Sequence, residues 1–177
     1  MEGEGSVGSG LVPTLGSYLL VGAVAAGATF AVTPLVGMLA RRLGWVYLPN
    51  DRTVHQKPLP DVGGLAMFVG FLAAMLTAWL VDAFDVLFDS NSEPLGVLIA
   101  ATIIFTVGFF DDIREVSAPA KVAGTVLAGI VLVQFGVVMY SFRLPFYEGP
   151  IVLSGDLQPL VTVLWLLVMT QAINLID

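Results

Sequence analysis

What most constrains this chain is where its charges are absent. No Asp, Glu, Lys or Arg lies between Glu4 and Arg41, Asp61 and Asp82, Glu93 and Asp111, Lys121 and Arg143, or Asp156 and Asp177. Counted along the sequence, those intervals hold 36, 20, 17, 21 and 20 residues. A helix rising about 1.5 Å per residue crosses the hydrocarbon of a bilayer in about 20 residues, within a range of about 17–25. Four intervals therefore fit one span each, and the first fits a span behind a Gly/Ser-rich leader. A water-soluble bundle would alternate apolar stripes with polar faces, whereas Leu95–Phe110 is apolar all round. Only 12% of the 177 residues are charged, against about 25% in soluble domains.

The expected fold is all-α: a polytopic transmembrane bundle of about five spans, near 15–40, 63–81, 95–110, 120–140 and 160–176. Alternating spans sort the loops into two sets. One set, with Lys121 at its edge, carries Arg41, Arg42, Arg52, Lys57, Arg114 and Lys121; the other carries Arg143 alone. Cytoplasmic loops are enriched in Lys and Arg, so the first set is expected inside and the N-terminus outside. The outer segment 82–93 has four acids and no base, in keeping with that orientation. The leader Met1–Pro13 lacks the basic region of a signal peptide, so the first apolar segment is expected to be a retained span. In the outer segment 141–155, short apolar runs flank Glu148-Gly149-Pro150, and a small hairpin and an irregular loop fit equally well.

Composition excludes some functions. There is no cysteine, hence no disulfide and no thiolate chemistry. There is no basic patch of the kind that binds nucleic acid. The net charge of −7 is spread over loops rather than gathered on one face.

Three polar groups fall on the expected cytoplasmic side. Asp111 and Asp112 directly follow the third span. Adjacent carboxylates repel, and a divalent cation relieves the repulsion; hard oxygen ligands suit Mg²⁺, which takes one or two carboxylates together with substrate phosphates. A solvated stop signal at a helix end accounts for the same pair equally well. Asn174 and Asp177 lie three apart at the end of the fifth span, on one helical face. The first inner loop, 49–64, holds Arg52, His55 and Lys57 between Pro49 and Pro60, and ends on Gly63-Gly64. Such a loop could receive phosphate; an ordinary positive-inside loop explains Arg52 and Lys57, but not His55 or the Pro-x-Pro-x-x-Gly-Gly pattern. Lys121 could snorkel to the interface or neutralise a diphosphate beside a metal. Acids and bases gathered at a lipid surface suit phosphoryl chemistry on a lipid head group, where catalysis is mostly positioning and charge neutralisation.

Four blocks, in order, resemble the polyprenyl-phosphate N-acetylhexosamine-1-phosphate transferases, glycosyltransferase family 4. They are 49–64 (PNDRTVHQKPLPDVGG), 108–112 (GFFDD), 117–124 (SAPAKVAG) and 174–177 (NLID). The resemblance implies transfer of a sugar 1-phosphate from a UDP-sugar to a polyprenyl phosphate with release of UMP, the first lipid-linked step of cell-wall or surface-polysaccharide synthesis. It implies Mg²⁺, with Mn²⁺ as a substitute. It assigns Asp111 and Asp112 to the metal and to activation of the lipid phosphate, Asp177 with Asn174 to the nucleotide-sugar diphosphate, and Lys121 to phosphate. His55 and Arg52 match the first loop of the branch that uses UDP-N-acetylglucosamine, which is favoured over phospho-N-acetylmuramoyl-pentapeptide transferase. The chain departs from the family pattern at Tyr47 and Asp61. The motif at Asn174–Asp177 continues in the family as Gly-x-Asp-Gly, and members carry further spans, so residues 1–177 are expected to be the N-terminal half of an enzyme, inactive alone. Expected partners are the UDP-sugar, the polyprenyl phosphate lipid and the bilayer of the cell membrane, with a homodimer left open. An intramembrane prenyltransferase would also use Asp-rich motifs and Mg²⁺, but would need a second spaced Asp motif. A non-enzymatic membrane scaffold would need none of the four blocks.

Overall fold

The structure, a computed structural model, describes residues 12–47, 59–60, 62–89, 91–146 and 148–176. Six helices dominate it: α1 (Leu15–Leu43), α2 (Gly64–Leu80), α3 (Asp85–Asp89), α4 (Glu93–Ile113), α5 (Ala118–Gln134) and α6 (Leu157–Ile176). A single 3-10 turn, Asp82–Phe84, precedes α3. Two short antiparallel pairs complete it, β1 (Val46–Tyr47) with β2 (Leu59–Pro60) and β3 (Ser141–Phe142) with β4 (Ile151–Val152).

Local chemistry sets the helix ends. Thr14 Oγ1 accepts from the Ser17 N–H at the start of α1. Arg41 and Arg42 sit in its last turn, where the helix dipole favours cations. Gly44 then takes a left-handed φ of +76°, and the Trp45 N–H reaches back to the Ala40 carbonyl at 2.9 Å. This is the usual glycine stop of a helix. Gly136 ends α5 in the same way, at φ +89°, with the Val137 N–H on the Leu132 carbonyl at 2.9 Å.

Contacts along each pair of neighbours show that the long helices alternate in direction. Tyr18 near the start of α1 meets Phe84 after α2, rings 5.5 Å apart, while Val36 and Ala40 near the end of α1 share a buried cluster with Val62 and Ala66. Phe68 of α2 stacks on Phe105 of α4 at 4.1 Å, and Phe109 of α4 meets Trp45 edge-on at 5.7 Å. Helix α5 lies between α4 and α6. In lipid the hydrophobic effect does not drive one apolar helix onto another, so association relies on close backbone approach at small residues. Four glycines do this here. A side chain at Gly70 would collide with Thr29 of α1, one at Gly96 with Phe135 at the end of α5 and one at Gly124 with Val107 of α4, while one at Gly129 would press tightly on Val163 of α6.

The outward surface is apolar. Leu19, Phe30 and Leu35 of α1 and Leu164, Trp165 and Val168 of α6 are exposed. α1, α4 and α6, with 29, 21 and 20 residues, are long and apolar enough to cross a membrane. α2 has 17 residues and is followed, after a bend of 89°, by the segment Asp82–Asp89; α5 is a shorter apolar helix of 17. The structure is thus an all-α membrane protein with three long spans, a fourth if the bent pair counts as one, and α5 beside them. The fourth expected span is the one most altered, because α5 stops at Gln134 rather than at 140. Val137–Tyr140 continue the apolar run but outside any helix, since Gly136 turns the backbone out of it. The outer segment is a hairpin, as one of its two readings had it. Its approach is pinned by Thr162, whose hydroxyl accepts from the Met139 N–H at 2.8 Å.

Candidate active site at one end of the bundle

The alternating helices bring the C-terminal ends of α1, α4 and α6 and the N-terminal ends of α2 and α5 to one end. The β1–β2 pair joins residues 46–47 to 59–60 there, and Phe109 and Ile113 of α4 pack on the nearby cluster of Val36, Ala40, Val62 and Ala66. Arg52 and His55 lie outside the described residues, as does Asp177.

A cavity of about 80 Å³ opens at this end between α4, α5 and α6. From α4 it is lined by Ile104, Val107, Gly108 and Asp111; from α5 by Lys121 and Thr125; from α6 by Thr170, Gln171 and Asn174. Three of the residues singled out in the sequence, Asp111, Lys121 and Asn174, therefore meet around one space. They come from three helices and span more than sixty positions of chain.

Asp111 is the best-held of them. Its Oδ2 pairs with Lys121 Nζ at 2.6 Å, and its Oδ1 accepts the Val116 N–H at 3.0 Å. The second bond ties the carboxylate to the turn Arg114–Ser117 that joins α4 to α5. Lys121 lies in the first turn of α5, and the buried Thr125 hydroxyl bonds the Lys121 carbonyl at 3.0 Å. One charge from each helix thus faces the other across the α4–α5 seam, which Gly124 keeps narrow. Asp112 does not line the cavity and is exposed. Successive helical residues point about 100° apart, so the two adjacent carboxylates face different directions.

The donor set suits a hard cation of low protein coordination. Among the described residues no group of three His, Cys, Asp or Glu converges, so a site here would offer one or two carboxylates together with neutral oxygens. Mg²⁺ is commonly bound in this way, with waters and substrate phosphates completing the shell, and the residues present fit it.

Thr125, Thr170 and Gln171 were not singled out from the sequence. The signal for the last two was available: they precede Asn174 by four and three residues, and so share its helical face.

Fold and site define a polytopic membrane protein with an ion-paired carboxylate, a lysine and an amide gathered at one end of its bundle. Residues 94–177 match the glycosyl transferase family 4 profile, the family recognised from the four sequence blocks. The chain is 39% identical over 159 residues to the decaprenyl-phosphate N-acetylglucosaminephosphotransferase of Mycobacterium leprae, covering 89% of this chain and 40% of that protein. It is 34% identical over 146 residues to the probable undecaprenyl-phosphate N-acetylglucosaminyl 1-phosphate transferase of Bacillus subtilis, covering 82% and 38%. It is 28% identical over 126 residues to the undecaprenyl-phosphate alpha-N-acetylglucosaminyl 1-phosphate transferase of Haemophilus influenzae. The chain spans about two fifths of the length of the first two. No solved structure matches it.

Proposed function

We propose that this chain forms part of an enzyme that transfers GlcNAc 1-phosphate from UDP-N-acetylglucosamine to a polyprenyl phosphate at the cytoplasmic face of the cell membrane, releasing UMP. The observation that carries the reading is the meeting of Asp111, Lys121 and Asn174 around one cavity at the end of an apolar bundle. The names of the similar proteins support the sugar and the class of lipid, and favour neither a prenyltransferase nor a scaffold. The excess of Lys and Arg in the loops at this end supports the cytoplasmic side.

In the reaction an oxygen of the lipid phosphate attacks the sugar-bearing phosphorus of the UDP-sugar, and the bond from that phosphorus to the bridging oxygen breaks, leaving with UMP. The substrates are anionic, so they must be neutralised as well as aligned. Lys121, which lines the cavity and pairs with Asp111, is the residue that would contact phosphate, exchanging the carboxylate for it. Asp111, which lines the cavity, would hold Mg²⁺ or Mn²⁺ together with Asp177, and Asp112, which faces away from the cavity, would join them only by turning its carboxylate toward it; such an ion, when bound, would neutralise diphosphate charge. Asn174 offers both a donor and an acceptor to the nucleotide sugar. Alignment at a surface between lipid and water matters most, since misplacement by about 1 Å can cost about 100-fold.

The test is UMP release by the full-length protein in vesicles supplied with UDP-N-acetylglucosamine, polyprenyl phosphate and Mg²⁺. Activity that is lost on chelation and in Asp111→Asn and Asp112→Asn supports the assignment. UMP release that survives both substitutions overturns it.

A further inference from the structure

Threonines inside these helices behave alike, with one exception. Thr29, Thr33, Thr77, Thr102, Thr106, Thr125 and Thr162 each donate their hydroxyl to the carbonyl four residues earlier, at 2.6 to 3.0 Å. This is how a hydroxyl is satisfied in a medium without water. Thr170 alone among the described helical threonines makes no such bond, and its side chain lines the cavity beside Asp111 and Lys121. Its neighbour Gln171 lines the same cavity, and its amide has no hydrogen bond to a described residue. Both are half-buried. Neither polar group is shut away from solvent, so the two, side by side on one wall of the cavity and without a bond to a described residue, are available to a ligand that enters it.

The cavity's size narrows what that ligand is. A water needs about 10–15 Å³ of such volume, so about 80 Å³ admits a group of phosphate size. Its polar side chains other than Asp111 can all donate: the Lys121 ammonium, the Asn174 and Gln171 amides and the hydroxyls. Thr170 and Gln171 sit about one helical turn, roughly 5 Å, deeper along α6 than Asn174. We propose that the Thr170 hydroxyl and the Gln171 amide bind a phosphate oxygen held beside Lys121, forming the deep wall of the site. The phosphate belongs either to the polyprenyl phosphate or to the diphosphate of the nucleotide sugar. The proposal rests on the transferase reading and adds two binding residues to it.

The test uses the full-length protein with Thr170→Val, Thr170→Ser and Gln171→Leu. Valine keeps the branched shape and removes the hydroxyl, while serine keeps the hydroxyl. Separate titrations of UDP-N-acetylglucosamine and polyprenyl phosphate give a KM for each. Loss of one hydrogen bond to a charged group raises a KM by about tenfold or more. Such a rise for one substrate in Thr170→Val and Gln171→Leu, with Thr170→Ser near wild type, supports the proposal and tells which phosphate is held. KM values unchanged for both substrates in both variants overturn it, as does a fall in kcat alone. If the wild type itself releases no UMP, the transferase reading fails. The wall is then tested by thermal shift with inorganic pyrophosphate: stabilisation of the wild type that is lost in Thr170→Val supports it, and equal stabilisation, or none in either protein, overturns it.

Discussion

Gly124 is the point at which helix packing and chemistry are most directly joined. A Cβ built there lies 2.5 Å from Val107 Cγ2, whereas ordinary contact begins at about 3.4 Å. Gly124→Ala therefore demands about 1 Å of relief. Valine in a helix strongly prefers one rotamer, so the side chain cannot simply turn aside, and α4 and α5 must part. Val107 is one turn before Asp111, and Gly124 is one turn after Lys121, so the opening is delivered to the ion pair. Overpacking of this kind costs about 1–3 kcal/mol of stability, and a displacement of about 1 Å at a reacting centre costs up to about 100-fold in rate. The assay is UMP release by the full-length protein, with thermal unfolding in detergent measured alongside. Gly124→Ala is expected to lower both, and Gly124→Ala combined with Val107→Ala, which removes the opposing methyls, to restore much of each. Unchanged activity and unchanged unfolding in Gly124→Ala would refute the close apposition of the two helices. Failure of the double variant to recover either property would refute the steric argument.

Other outcomes follow from the same geometry. Lys121→Met removes the partner of Asp111 and is expected to lower UMP release by at least tenfold, while Lys121→Arg keeps the charge and retains more activity; equal loss in the two would count against a role for charge. Thr162→Val leaves the half-buried Met139 N–H without its acceptor, at a cost of about 0.5–1.5 kcal/mol, and hydrogen exchange at 137–153 is expected to rise more than at α4; no regional difference would dismiss the pin. Residues 1–177 contain no cysteine, so single replacements here report sidedness in a full-length background whose other cysteines, if any, are replaced by serine. Arg143→Cys is expected to react with an impermeant maleimide in intact cells and Glu115→Cys only after permeabilisation, and the reverse pattern would invert the proposed orientation. A double-mutant cycle on Phe68 and Phe105 is expected to give about 0.5–1.5 kcal/mol for their stacking, and additive effects would deny the α2–α4 contact.

The sequence revealed the helices through missing charges, because a bilayer penalises charge at any position in a span, whatever its neighbours. α1, α2, α4 and α6 lie within a few residues of the expected bounds for that reason. Hydropathy says nothing of backbone direction, so Val137–Tyr140 read as the end of a span, although the left-handed Gly136 had already closed the helix. The β1–β2 pair had no signal of its own, since its two strands flank a long loop and each has only two residues. At the site, Asp111, Lys121 and Asn174 were legible as rare polar residues at helix ends, and the fold places them together. Thr170 was not, because a threonine in an apolar helix normally satisfies itself; only the absence of its back-bond sets it apart, and that absence arises in the folded helix rather than in the sequence.

The contact between Gly129 and Val163 also acts at a distance. Among the described helices α6 packs chiefly on α5, and Gly129 brings their backbones together well away from the cavity. From Val163 to Asn174 is eleven residues, about 16 Å of helix. With Val163 as fulcrum, a tilt of α6 by about 5° carries the far end through roughly 1.4 Å, close to half a hydrogen-bond length. The width of the mouth is thereby governed by a glycine near the middle of the bundle. A bulkier residue at 129 would act as a wedge under a lever, moving Thr170, Gln171 and Asn174 together without touching any of them.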